Sequence, residues 1–178
     1  MRADAERNRA KVIETAMQAF ATEGLTVSIA EIGRRAGVGT GTVSRHFPTK
    51  ESLYAAIVLA KVEEIVAKAH TTMATEPPGT AFYTFFAYLA GQATANRGLA
   101  EALTGAGFNV EAAAAATPGH DLEGAEHQLL TAAQAAGTVR PDVTQADLKA
   151  LLTACIAAPD QSRMLTIVTA GLRPAPAA

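Results

Sequence analysis

Residues 28–53 carry the sequence SIAEIGRRAGVGTGTVSRHFPTKESL, and this stretch decides the fold. Its opening Ser28-Ile29-Ala30-Glu31 has the form of a capping box, in which the Ser28 hydroxyl accepts a first-turn N–H and Glu31 reaches back. The glycines that follow end this helix early, and Thr40 can cap a second short helix, 41–46. Two helices that cross steeply need a turn residue with unusual backbone angles, and Gly37 supplies it. The stretch therefore predicts a helix-turn-helix.

The second short helix offers the small and hydrogen-bonding side chains that suit a DNA groove. Arg45 can reach a guanine edge or a phosphate, and Lys50 lies at the next helix N-terminus, where backbone N–H groups also favour phosphate. Short helices joined by glycine also occur in helical proteins that bind no DNA, so the spacing by itself leaves both interpretations open. The predicted DNA-facing residues are Ser28, Thr40, Gly41, Thr42, Ser44, Arg45, His46 and Lys50.

The pattern Val12, Glu14, Ala16, Phe20 and Gly24, followed by residues 29–53, resembles the N-terminal signature of the TetR family of transcriptional regulators. The most specific part of the resemblance is Ala36–Leu53. It implies that the helix holding Thr40–His46 enters the major groove of double-stranded DNA, and that the first helix and the start of the fourth contact the backbone. Many family members have tyrosine where this chain has Ser44. The shorter serine implies a weaker phosphate contact there or a different register on the DNA.

The rest of the chain is also predicted to be helical. Of its 178 residues, 49% are hydrophobic, and alanine, a strong helix former, dominates them. We therefore predict an all-α fold: an N-terminal three-helix DNA-binding domain, residues 1–48, followed by a C-terminal helical ligand-binding and dimerisation domain, residues 49–178. Apolar periodicity and turn residues predict helices at 6–23, 50–73, 80–95, 98–103, 110–116, 122–136, 145–157 and 160–172, besides the two short ones.

Charge is distributed unevenly along the chain. Residues 1–50 hold eight Lys/Arg and five acidic residues, a net charge of +3, whereas the remainder holds seven and twelve, a net charge of −5. A basic module on an acidic body is expected where only one end of a protein meets phosphate. No apolar run approaches the roughly 20 residues of a membrane span. With one cysteine and no apolar leader, we expect a cytoplasmic protein without disulfides.

The C-terminal body contains an aromatic-rich helix whose rings suit either a core or a ligand cavity. Family resemblance implies a cavity, and its apolar candidates favour a mainly apolar small-molecule effector with few polar anchors. The predicted lining residues are Phe82, Phe85, Phe86, Leu89, Leu103, Phe108 and Leu130.

The last two helices are apolar enough to be core or interface. Two helices from each of two subunits can form a four-helix interface, and a homodimer doubles the contacts of one short helix on a palindromic operator. The predicted interface residues are Leu148, Leu152, Cys155, Ile156, Leu165, Val168 and Leu172. Cys155 is predicted to be a buried small hydrophobe, with an oxidation sensor as the alternative.

Other functional classes have weaker support in the sequence. His120, Glu123 and His127 could share one helix face as metal ligands, but solvated surface residues explain them better, and we predict neither metal nor cofactor. The main alternative is an enzyme with the aromatic body as its active site, but the chain has no catalytic motif, so we predict that it is not an enzyme. A helical interaction module without DNA binding remains the other alternative. The prediction is a ligand-responsive homodimeric repressor, although an activator would share the same DNA module.

Overall fold

The computed structural model describes residues 2–115 and 121–175, and within them every element of regular structure is an α-helix. This confirms the predicted all-α class. The helices are α1 (Arg2–Glu23), α2 (Ile29–Arg35), α3 (Thr40–His46), α4 (Lys50–Thr75), α5 (Pro78–Ala95), α6 (Arg97–Gly105), α7 (Val110–Ala115), α8 (Leu122–Ala135), α9 (Gln145–Ala157) and α10 (Gln161–Gly171). Among them, none combines the length and apolar character that a membrane span requires.

The helix ends described next follow the capping preferences, but two predicted helix starts are corrected. Ser28 caps α2 as predicted, since its hydroxyl accepts the Glu31 N–H at 3.1 Å. The N-cap of α3 is Gly39, and Thr40, predicted as the cap, is already the first helical residue. α5 starts at Pro78, two residues earlier than predicted, because proline has the backbone angle that a first helical position needs and no N–H to leave unpaired.

The chain forms two compact units. The first comprises Met1–Val62 and Asn96–Thr117, and the second comprises Glu63–Ala95 and Pro118–Ala178. The first unit is larger than the predicted domain of residues 1–48, because later segments complete its core. Tyr54 makes this visible: its ring contacts Phe20 at 5.6 Å and Phe108 at 5.8 Å between centroids, both edge to face.

The first unit has a tightly packed apolar core. α1 contributes one face, since Val12, Ile13, Ala16 and Phe20 recur at helical spacing and are all buried. They pack against the residues that hold α2 and α3 together and against the start of α4. The other fully buried large side chains of this cluster are Ile32, Val43, Phe47, Leu53, Ile57 and Leu103. Such a core fixes the orientation of two helices that are each too short to be stable alone.

The second unit packs α5 against α8, α9 and α10. Its core is built on the aromatic side of α5 and on leucines of α8, with Tyr83 tied to the loop after α8 by a 2.9 Å bond from its hydroxyl to the Thr138 carbonyl. Gly137 ends α8 with a φ of 69°, in the left-handed region that favours glycine. The buried residues of this cluster include Phe82, Phe85, Phe86, Leu129, Leu130, Val139, Leu148, Cys155, Val168 and Leu172.

Candidate nucleic-acid interface and apolar cavity

The crossing of α2 and α3 depends on glycine at two positions, one in the turn and one within α2. Gly37 has a φ of 67°, in the left-handed region, which confirms the predicted role in the turn. Gly33 is needed for a different reason: a Cβ added there would lie 2.8 Å from Val43 Cγ2. Val38 and Val43 fill the angle between the helices, with 7% and 1% of their surfaces exposed. The crossing is therefore fixed by close packing.

The outer face of α3 carries most of the predicted DNA-facing residues. Thr40, Gly41, Ser44 and Arg45 are exposed, while Thr42 and His46 are half-buried. The His46 ring lies 6.1 Å from the Phe47 ring. His46 therefore packs beside the buried Phe47.

Arg45 is held along its own helix. Its Nε donates a 2.9 Å hydrogen bond to the Gly41 carbonyl, which leaves the rest of the guanidinium at the exposed surface. Guanidinium groups can bind a guanine edge or a phosphate with two parallel hydrogen bonds. α3 thus presents hydroxyls and one arginine on a surface supported from behind by buried apolar residues.

Lys50 and Ser28, both predicted to face DNA, make hydrogen bonds within the protein. The Lys50 ammonium donates to the Leu25 carbonyl at 2.8 Å, so it fixes the loop after α1 to the start of α4. Thr49 caps α4, since its hydroxyl accepts the Ser52 N–H at 3.1 Å. Any phosphate contact at this helix end falls to the remaining first-turn N–H groups, which suit an anion.

Glu31 departs from the expected capping box. Its carboxylate accepts hydrogen bonds from Arg34 and Arg35, each at 2.8 Å, and Arg35 also pairs with Glu23. The expectation that Glu31 reaches back to the Ser28 N–H is therefore corrected, because two guanidiniums compete for the carboxylate. Hydrogen bonds from Arg34 and then Arg35 lower the pKa of Glu31 to about 2. The network ties α2 to the end of α1.

The second unit contains a narrow cavity between α5, α8 and α9. Its apolar lining comprises Phe82, Phe85, Phe86, Leu89, Leu129, Leu148 and Leu152. The cavity volume is about 30 Å³. Sites for drug-sized ligands occupy roughly 300–1,000 Å³, so these walls must separate before such a molecule fits.

Two charged residues also line this cavity. Glu126 of α8 is half-buried, and burial raises the pKa of its carboxyl, against the lowering effects of a hydrogen bond with Gln145 and the charge of Lys149. Lys149 of α9 has a 61% exposed side chain, and its ammonium lies 3.4 Å from the carboxylate of exposed Glu123. Glu126 was not among the cavity residues predicted from the sequence. Its spacing of three from Leu129 and four from Leu130 placed it beside the buried face of α8, which was an available signal.

The predicted cavity residues separate into three groups. Phe82, Phe85, Phe86 and Leu89 line the cavity together. Leu130 is buried in the same cluster but is not on the lining. Leu103 and Phe108 belong to the first unit: Leu103 is 1% exposed in its core, and Phe108 packs on Tyr54. They therefore do not line this cavity, because α6 and the segment after it complete the other core.

The predicted interface residues lie mostly inside the second unit. Leu148, Cys155, Val168 and Leu172 are buried, so they have little surface to offer a partner, whereas Leu152, Ile156 and Leu165 are half-buried. Burial also raises the pKa of the Cys155 thiol, which disfavours the reactive thiolate. The exposed large hydrophobic residue among the described ones is Ile167, 56% exposed. It lies off the inward stripe of Met164, Leu165, Val168 and Leu172, and this offset could have identified it.

His120 lies outside the described residues, and with it part of the alternative metal trio of His120, Glu123 and His127. Within residues 2–115 and 121–175, no group of three His, Cys, Asp or Glu side chains is arranged to hold a metal ion.

An exposed polar helix, joined by a glycine turn to a second helix over an apolar core, defines a helix-turn-helix protein. Residues 12–57 match the profile of the bacterial regulatory proteins of the tetR family, and residues 77–174 match that of the SbtR-like C-terminal domain of transcriptional regulators. The chain belongs to the TetR family of transcriptional regulators.

Solved structures agree over nearly the whole chain. A TetR transcription regulatory protein from Mycobacterium vanbaalenii is 47% identical, with 97% of this chain and 99% of that chain covered and a TM-score of 0.79. A TetR transcriptional regulator from Streptomyces coelicolor is 32% identical, with 93% and 98% covered and a TM-score of 0.74. A gamma-butyrolactone receptor described as ArpA-like shares the fold at 21% identity and a TM-score of 0.67, over 96% of this chain and 90% of its own. A comparison with curated protein sequences gave no match.

Proposed function

We propose that this chain is a ligand-responsive repressor that binds a palindromic operator as a homodimer. The observation that carries the proposal is the outer face of α3, where Thr40, Ser44 and Arg45 are exposed above a core in which Val43 is 1% exposed. Such a helix can enter a major groove without disturbing its own support. Ser28 and Lys50 contribute indirectly: Ser28 caps the start of α2, and Lys50 fixes the loop before it.

The test is selection of bound duplexes from a random DNA pool, followed by affinity measurements at several salt concentrations. We expect a palindrome to be enriched and its affinity to fall steeply with salt, because bound phosphates release counterions. Ser44→Glu should abolish enrichment, since it adds a negative charge on the exposed face of α3. Thr71→Glu, with the same charge at an exposed position of α4 in the second unit, is the matched control and should retain it. Failure of the unaltered protein to enrich any sequence at low salt would overturn the DNA-binding role.

The homodimer rests on the outer faces of the last two helices. Ala150 and Ala154 of α9 and Ile167 and Ala170 of α10 are exposed, so these helices present small and apolar groups to solvent. This exposed face, in place of the buried residues predicted from sequence, is the proposed contact surface. Small residues let two helix pairs approach closely in a two-fold interface.

Ile167→Asp should shift the protein to monomers in sedimentation velocity and weaken its binding to the palindrome. Ala74→Asp, which adds the same charge at an exposed position of α4, should leave both unchanged. An Ile167→Asp protein that remains dimeric would exclude this face.

The response to an effector rests on the cavity between α5, α8 and α9. Its volume of about 30 Å³ implies that a bound molecule separates the walls, so a ligand would favour a conformer distinct from this one. α4 supplies residues to both compact units and is the element through which such a change can reach the DNA-binding helices. Coupling energies between sites are typically about 1–3 kcal/mol, which sets the expected loss of operator affinity.

A further inference from the structure

Glu126 places a carboxylate in a cavity wall that is otherwise mostly apolar. Seven of the nine lining residues are apolar, and three of them are phenylalanines. A half-buried carboxylate at an apolar wall loses hydration, and this cost must be offset by hydrogen bonds or by a counter-charge. Gln145 supplies a hydrogen bond, but among the described residues no basic group lies within ion-pair distance of Glu126.

Lys149 does not neutralise Glu126 directly. Its ammonium is directed to Glu123, whose side chain is 71% exposed, so this ion pair lies at the solvent side of the cavity. Gln145 is likewise engaged with α8, since its Nε2 donates to the Glu123 carbonyl at 2.7 Å. The charged residues of the lining are therefore Glu126 and Lys149, and the Lys149 ammonium is already paired with Glu123 outside the lining.

We propose that the cavity recognises a small organic cation, with Glu126 binding the ammonium group and Phe82, Phe85 and Phe86 contacting the apolar body. The proposal rests on the ligand-responsive function proposed above and names the chemical class of the effector. Phenyl rings add to the recognition, because their faces attract cations as well as apolar groups. A carboxylate or a neutral molecule of the same shape would leave Glu126 without a counter-charge.

The test compares three probes that share a phenyl ring and a four-carbon chain: phenylbutylamine, phenylbutanol and phenylbutyrate. Calorimetric titration of the unaltered protein should show the amine binding at least about tenfold more tightly than the other two, since charge-assisted hydrogen bonds are the stronger ones. Glu126→Gln keeps the shape and removes the charge, and it should reduce amine affinity about tenfold while leaving the alcohol unchanged. Asp142→Asn, on an exposed carboxylate of the same unit that does not line this cavity, is the matched control and should retain the preference for the amine.

Several results would overturn this inference: equal or tighter binding of the alcohol or the carboxylate, unchanged amine affinity in Glu126→Gln, or no binding of any probe at millimolar concentration. The comparison among probes on the unaltered protein needs no variant to fold. None of these measurements involves DNA, so a failed DNA selection and a failed cation preference are distinguishable. If both proposals hold, the amine releases the selected palindrome and the alcohol does not.

Discussion

The two units differ in how recognition relates to the core. In the first, the groups proposed to contact DNA stand outside the packed cluster: Arg45 is exposed, whereas Phe47, two residues later, is 2% exposed. In the second, the cavity wall and the core are the same residues, since Phe82, Phe85 and Phe86 are each 3% exposed and also line the cavity. Recognition and stability should therefore be separable in the first unit and linked in the second.

The largest expected effects come from truncating one buried ring in each unit. Phe47→Ala and Phe86→Ala should each lower the free energy of unfolding by about 3–5 kcal/mol, because each removes a buried aromatic side chain. Only Phe86→Ala should also change the affinity for phenylbutylamine. Denaturant unfolding and calorimetry on both variants measure the two effects. A Phe86→Ala protein with unaltered probe affinity would break the link between core and cavity.

Arg45→Ala tests the expectation that recognition and stability are separable in the first unit. We expect it to weaken binding to the selected palindrome by about 1–3 kcal/mol if it reads a base, with the unfolding free energy changed by less than about 0.5 kcal/mol. The matched control is Arg97→Ala, an exposed arginine of α6 in the same unit that pairs with Glu101, and it should retain full affinity. Equal loss on random DNA would assign Arg45 to a phosphate, and unchanged affinity would remove it from the interface.

This contrast also explains what the sequence could predict. The helix-turn-helix is encoded by one continuous stretch of sequence, in which capping and turn preferences place Ser28 at a helix N-cap and Gly37 in the turn. The cavity gathers side chains from three helices separated by up to seventy residues in the chain, as Phe82 and Leu152 are. Periodicity identified the apolar side of α5 but not its partners, so Leu103 and Phe108 were grouped with a cavity they do not line. The spacing of Glu126 placed it beside the buried face of α8, but its place in the cavity wall depends also on Leu148 and Leu152 of α9.

Substitutions of two glycines test further whether stability and DNA binding are separable in the first unit. Gly37→Ala should destabilise it by about 1–2 kcal/mol, because φ there is 67° and a side chain disfavours the left-handed region. Gly41→Ala should instead stabilise it by about 0.5–1 kcal/mol, since Gly41 lies in α3 and a Cβ there meets no atom within 4 Å. We expect Gly41→Ala nevertheless to weaken operator binding, which would mark a close approach of this backbone to DNA. Unchanged or improved affinity would place Gly41 away from the DNA.

The smallest effects concern two carboxylates with opposite pKa shifts. For Glu31, the folded pKa of about 2 lies below the ordinary glutamate value of 4.5, so its contribution to stability is present above about pH 4.5 and is lost as pH falls toward 2. For Glu126, burial raises the folded pKa above 4.5, so its contribution is present below that pH and is lost as pH rises through the folded pKa. At pH 7, therefore, Glu31→Gln should lower the unfolding midpoint and Glu126→Gln should raise it.

Measuring the midpoints of both variants and the unaltered protein from pH 3 to pH 7 tests this opposition, because the differences isolate one carboxyl each. The difference for Glu126→Gln should reverse when phenylbutylamine is present, since a bound cation stabilises the folded state of the protein that keeps the carboxylate. A Glu126→Gln protein that is less stable at pH 7 without the amine would show that Glu126 already has a stabilising partner. In that event the second unit would resemble the first, with its charged group satisfied within the protein and not held for a ligand.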